Sequence, residues 1–167
     1  YKNQFVITAV TYKLRKQPFY NTSYGAINQE LERMGIKDIS IEAISQAVIN
    51  IRKSKLPDPK QIGNAGSFFK NPTVDKHLFD ALKTLHPDVV GYAVGDDKIK
   101  LAAGWLIEKS GWKGYREGDA GCHAKQALVL VNYGNATGTE IFSLSEKIIR
   151  SVQKKYNVLL EREVNII

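Results

Sequence analysis

The chain has 167 residues, 43% of them hydrophobic and 25% charged, enough to bury a core of its own and too apolar for a disordered chain. Its 24 basic and 17 acidic residues leave a net charge of +7, a field that draws anions: nucleic acid, phosphorylated metabolites or an anionic membrane. One cysteine, Cys122, excludes an internal disulfide framework and a cysteine-built zinc centre, His77, His86 and His123 form no paired-histidine motif, and no run of about 18 apolar residues exists to span a membrane.

In chain order, FVITAVTYKL (5–14) places Val6, Thr8, Val10, Tyr12 and Leu14 on one face and predicts a strand. QPFYNTSY (17–24) is loop. Residues 25–34 predict a helix through Ile27, Leu31 and Met34, ended by Gly35. Ser40 caps a second helix whose stripe is Ile41, Ile44, Val48 and Ile51, and the prolines of KLPDPKQ stop it, setting a domain boundary near 55–62. IGNAGSFFKNPTV is a glycine turn leading into a short strand. Val74–Leu85 predicts a helix before Pro87, DVVGYAV a strand, and Ile99–Ser110 a helix closed by Gly111. ALVLVN (127–132) is apolar throughout and predicts a central, buried strand. Thr139–Tyr156 predicts a long helix on Ile141, Leu144, Ile148 and Val152, and VLLEREVNII a closing strand. The expected fold class is α+β, a mixed or antiparallel sheet packed with helices. The chain opens and closes in strand pattern and shows no signal peptide, so it is expected to be a piece of a longer protein.

Chemistry concentrates in GNAGSFFKNP (63–72). Its glycines allow a tight bend, Phe68 and Phe69 can anchor the strand, and Ser67, Lys70 and Asn71 supply polar groups on that support. A bland alternative is a turn into a core strand. A serine-hydrolase reading lacks GxSxG and a histidine placed to activate Ser67. Lys55 on the proline-rich loop could meet phosphate or carboxylate. Glu161 and Glu163 share one face of the closing strand, opposite Val164 and Ile166, as acids lining a site or as charges guarding an edge. Gln126 stands at the mouth of the buried strand. GNATGT (134–139) is a weak anion-site candidate. Trp105 and Trp112 read as packing residues.

The ordered set KLPDPK, GNAGSFFKNP, AAGWLIEKSGWKG, HAKQALVLVN and LEREV resembles the UDP-N-acetylenolpyruvoylglucosamine reductases along residues 1–167. The resemblance covers the later half of such a flavoenzyme and implies an FAD-dependent, NADPH-using oxidoreductase of bacterial peptidoglycan synthesis, in the cytoplasm. It implies that Ser67 protonates the enol formed on reduction and that Glu163 stabilises it. Lys55, Asn71 and Gln126 match substrate-binding residues, and Tyr24 matches the tyrosine that closes over the uridine diphosphate in the longer, loop-bearing type. Members often carry proline where this chain has Arg162. The family's catalytic arginine and the glycine-rich FAD pyrophosphate loop are expected before Tyr1. The implied domains are 1–58, the later part of the FAD-binding domain with the tyrosine loop; 59–157, the substrate-binding domain; and 158–167, a strand returning to the first. The expected partners are UDP-N-acetylenolpyruvoylglucosamine and NADPH, without nucleic acid or membrane. The oligomeric state stays open, though an unpaired apolar face left by truncation would favour self-association, and the 167 residues alone are expected neither to retain FAD nor to turn over. The alternative is a non-catalytic basic module binding nucleotides or nucleic acid, supported by charge alone.

Overall fold

The computed structural model describes residues 5–23 and 25–166. They divide into two compact units, Tyr1–Arg52 and Lys53–Ile167. In the first, α1 (Ile27–Arg33) and α2 (Ile41–Lys55, whose last three residues fall beyond Arg52) meet through Ile27, Leu31 and Ala47, with Met34, Ile44, Val48 and Ile51 packed around them. Gly35, at φ +70°, turns the chain after α1, and the Ser40 hydroxyl accepts from Ala43 N at 3.1 Å, so both predicted helix ends are present. Leu56 precedes Pro57, and α2 stops at Lys55.

A polar clasp joins these two helices. Glu30 accepts from Arg33 Nε at 2.7 Å and Nη2 at 2.6 Å, and from Asn50 Nδ2 at 2.8 Å. These donors, Arg33 first and Asn50 next, hold its carboxyl at about 2, against an ordinary 4.5. The folded value lies below the unfolded one. The clasp therefore contributes fully above about pH 4.5 and is lost as pH falls through about 2. A carboxyl-carbon NMR titration of Glu30 is expected to show a midpoint near 2; a midpoint near 4.5 would contradict the clasp.

Residues 5–14 form no regular element, contrary to the expected strand. Phe5, Val6, Ile7, Val10, Tyr12 and Leu14 are exposed, and no ladder among the described residues includes them. Alternation marks a segment fit to pair, but a ladder forms only where a neighbouring strand takes its amides and carbonyls.

The second unit contains β1 (Gly63–Ser67), β2 (Thr73–Asp75), α3 (Lys76–Leu85), β3 (Gly91–Ala93), β4 (Lys98–Leu101), α4 (Ala103–Lys109), β5 (Arg116–Glu117), β6 (Ala120–Cys122), β7 (Val129–Asn132) and α5 (Gly138–Tyr156). One sheet has the order β1-β7-β6-β5 and the other β2-β4-β3. Every pairing among the described residues is antiparallel, so the α+β expectation stands with an antiparallel sheet. β7 lies inside its sheet with Val129, Leu130 and Val131 buried, as the apolar run predicted. Leu101, Leu106, Ile107, Leu144, Ile148 and Val152 fill the core shared by β4, α4 and α5. Each such side chain contributes about 1.5–3 kcal/mol.

The single helix expected over Ile99–Ser110 is a strand followed by a helix. Lys98, Ile99, Lys100 and Leu101 alternate out and in, and β4 gains partners on both sides from β2 and β3. Two flanking ladders outweigh the helical spacing of Leu101 with Trp105. α4 then starts after Ala102 and ends ahead of Gly111, at φ +86°. The helix expected from Val74 begins at Lys76, because Val74 and Asp75 pair with β4. β5 and β6, of two and three residues, are too short to leave a period in the sequence. The closing strand is also corrected: VLLEREVNII makes one isolated bridge, Phe69 with Arg162. Its alternation survives as burial, with Val158 and Leu160 buried and Leu159, Glu161 and Glu163 exposed. No described helix is long and apolar enough to cross a membrane.

Candidate functional site

The bend at 63–67 is built from its own side chains. Asn64 Oδ1 accepts from Gly66 N at 3.1 Å, and Asn64 Nδ2 donates to Ile62 O at 3.0 Å. Gly66 lies at φ +72°, where a side chain would be strained, and the register with β7 shifts between Asn64 and Ser67. Such a bulge re-aims the residue that follows it. Ser67 follows it, exposed, opposite Val129. Beneath it Phe68 and Phe69 are buried and pack edge to face at 5.4 Å, as the sequence predicted.

The C-terminal segment runs antiparallel to this stretch. Glu163 N donates to Phe68 O at 2.9 Å, and Lys70 N donates to Glu161 O at 2.8 Å. Ser67 and Glu163, 96 positions apart in sequence, thus stand on adjacent backbones with both side chains exposed. Glu161 is engaged by an ion pair with Lys70, so the two outward acids differ in their surroundings.

Asn71 and Gln126 meet at the start of α4. Asn71 Oδ1 accepts from Ala103 N at 2.9 Å. A Cβ on Gly104 would lie 3.4 Å from Gln126 Oε1, so the bare glycine lets Gln126 approach the helix closely. Gln126 is tied back to Ser67 through the 2.8 Å bond from Phe68 N to Leu128 O. Backbone bonds thus link the stretches that carry Ser67, Gln126 and Glu163, and Asn71 reaches the same helix start as Gln126. Lys55 is placed differently from expectation: it is the exposed last residue of α2, not a rider on the proline loop, and no hydrogen bond or ion pair among the described residues joins it to the other four. Tyr24 lies outside the described residues.

Hydrogen bonding bears on two other expectations. In GNATGT the amides of Gly134 and Ala136 donate to Asn132 Oδ1, that of Asn135 to Asp119 Oδ2 and that of Thr137 to Glu140 Oε2. Two of those acceptors are carboxylates, so these four amides are taken and two negative charges stand beside the loop, which speaks against an anion there. No histidine hydrogen-bonds Ser67 among the described residues; His123 Nδ1 accepts from Lys125 N at 3.4 Å. Burial pushes the Cys122 thiol up to about 11, which marks a packing residue rather than a nucleophile. Trp105 and Trp112 pack against the core, as read.

Sequence reasoning missed the support behind Glu163. Arg162 Nε donates to Ser145 Oγ at 2.8 Å, and its Nη2 pairs with Glu146. The signal was available, since Arg162 occupies an inward position between Leu160 and Val164 and a cation there needs a partner.

Comparison with known proteins identifies the family of the chain. Residues 58–167 match the family described as UDP-N-acetylenolpyruvoylglucosamine reductase, C-terminal domain. A UDP-N-acetylenolpyruvoylglucosamine reductase of Flavobacterium johnsoniae is 50% identical over 167 residues, covering 99% of this chain and 50% of its own length. That of Amoebophilus asiaticus is 49% identical over 166 residues, covering 99% and 49%. That of Pseudomonas syringae is 47% identical over 163 residues, covering 98% and 48%. A crystal structure of the reductase from Thermus caldophilus matches 77% of this chain and 36% of its own at 26% identity, with a TM-score of 0.41, too loose a likeness to add to the assignment. The chain spans about half the length of the curated relatives it matches. On its sequence, this chain belongs to the UDP-N-acetylenolpyruvoylglucosamine reductase family and carries that family's C-terminal domain.

Proposed function

We propose that this chain supplies the proton-donating half of a cytoplasmic UDP-N-acetylenolpyruvoylglucosamine reductase of peptidoglycan synthesis. The observation that carries the reading is the 2.9 Å bond from Glu163 N to Phe68 O, which sets the Glu163 backbone beside the one that bears Ser67. Ser67 is the proton donor. Its O–H breaks as a C–H bond forms at the enol carbon, and water returns the proton to the alkoxide. A serine is too weak an acid to ionise freely, so the step needs fixed geometry, which the bulge and the buried phenylalanines provide. Glu163 faces the same intermediate and stabilises its charge distribution. Asn71 has its carbonyl oxygen committed to Ala103 N, which leaves Nδ2 to donate to the substrate. Gln126 contributes a second amide, Lys55 a cation for the diphosphate, and Tyr24 a ring over the nucleotide.

FAD, reduced by NADPH, supplies the hydride chemistry in this reading. The two glycine-bearing loops among the described residues are poor cradles for the flavin pyrophosphate. A pyrophosphate needs free backbone amides, and in the two candidate glycine loops the amides of Gly66, Gly134, Asn135, Ala136 and Thr137 are all bonded within the chain. No step of the proton transfer is routed through it.

In the full-length protein carrying this sequence, NADPH oxidation dependent on UDP-N-acetylenolpyruvoylglucosamine is expected. The 167 residues alone are expected to purify colourless and inert. Absence of turnover in the full-length protein would overturn the assigned activity, and a yellow 167-residue chain would overturn the assignment of flavin binding to other residues.

A further inference from the structure

We propose that Arg162 is a positioning residue that holds Glu163 beside Ser67; this rests on the role given to Glu163 above. Two backbone bonds, Lys70 N to Glu161 O and Glu163 N to Phe68 O, tie this segment to residues 68–70. An edge so short is weakly specified in register, and a slip by one residue would exchange its inward and outward faces. Glu163 would then turn toward the core. Arg162 opposes that slip.

Its side chain enters a slot already built on α5. Ser145 is fully buried, and its hydroxyl donates to Phe142 O at 2.6 Å, so its remaining lone pairs are left for Arg162 Nε at 2.8 Å. The guanidinium lies 4.3 Å from the centre of the Phe142 ring and pairs with Glu146. Hydrogen bonding from Arg162, ahead of the more distant Arg150, holds the Glu146 carboxyl below the usual carboxylate range, so the anion persists at neutral pH. A planar, forked cation satisfies all three partners at once, which a lysine cannot do. The outward neighbour Glu161 is meanwhile engaged by Lys70. The residue fixed between these two anchored positions and the core contact of Val164 is Glu163.

The test uses the full-length protein. R162M is expected to lower kcat by about 10- to 100-fold, the scale of a displacement near 1 Å, with KM for the sugar nucleotide within about twofold, because Arg162 makes no contact with Asn71 or Gln126 in the hydrogen bonds of this site. R162K should recover part of the loss. In an E163Q background R162M should cost almost nothing further, since both changes remove the same contribution. Independently of catalysis, amide exchange at 161–165 in the flavin-free protein should rise by at least about tenfold in R162M while Ile148 and Val152 stay protected. S145A, which removes one leg of the slot, should give the same pattern with smaller amplitude if R162M folds poorly. Unchanged exchange at 161–165, or a kcat loss that simply multiplies with that of E163Q, would overturn the tether. E163Q with full turnover would instead remove the role of Glu163, and with it the purpose of the tether, whatever the exchange measurement gives.

Discussion

Replacing Ser67 by alanine in the full-length protein is expected to lower turnover by about 10²- to 10⁴-fold, the contribution of a positioned acid or base. Affinity for the sugar nucleotide should stay within a few fold. The split follows from the geometry. Ser67 sits at the end of β1 with its backbone in register with Val129, and its hydroxyl makes no hydrogen bond within the chain among the described residues. Removing one oxygen leaves the bulge, the Asn64 bond to Gly66 N and the buried Phe68 and Phe69 in place. The amides of Asn71 and Gln126, to which we assign the substrate, lie against the start of α4, and neither side chain is bonded to the Ser67 hydroxyl. Turnover measured by NADPH oxidation, beside calorimetric binding of the sugar nucleotide, separates the two quantities. Turnover of S67A within about threefold of the parent would remove Ser67 as the donor, and an equal loss of affinity would make it a binding residue.

The elements that were legible in the sequence are those whose period is long enough to repeat. α5 shows its stripe at Ile141, Leu144, Ile148 and Val152, and its observed start, Gly138 behind a Thr137–Glu140 capping box, lies one residue before the expected Thr139. β7 reads as buried because it is buried on both faces. Residues 5–14 and 158–167 have equally good alternation, but strand formation depends on a partner that no local pattern encodes. The first therefore forms no element, and the second keeps only its in-and-out burial. β4 was hidden because Leu101 and Trp105 have helical spacing, while the ladders that decide the matter come from β2 and β3. The candidate site divides in the same way. Ser67 was legible from an unusual local run. The juxtaposition of Asn71 with Ala103, and of Glu163 with Phe68, is tertiary; the family resemblance named Asn71 and Glu163 but not these contacts. Arg162 is the instructive case, an inward charge whose partners Ser145 and Glu146 lie on another element and leave no mark beside it.

The same stretch that presents Ser67 also carries the largest expected loss of stability. Phe69 is 1% exposed, bridges Arg162 through its backbone and meets Phe68 edge to face. Phe69→Ala in the 167-residue chain is expected to cost about 3–5 kcal/mol, a lost transfer term plus an unfilled cavity. That is a large part of the roughly 5–15 kcal/mol that holds a typical domain. The two tryptophans, Trp105 and Trp112, both belong to the unit Lys53–Ile167, so urea unfolding followed by their fluorescence reads that unit alone. The α1–α2 unit, followed through the Glu30 carboxyl, should be unchanged. Phe69→Leu keeps most of the volume and should cost less than about 1.5 kcal/mol. A loss below about 1 kcal/mol for the alanine variant would mean that the core closes over the gap. The rigid footing assigned to Ser67 would then have to come from the bulge and from the C-terminal segment instead, and the exchange rates at 161–165 would become the measure of it.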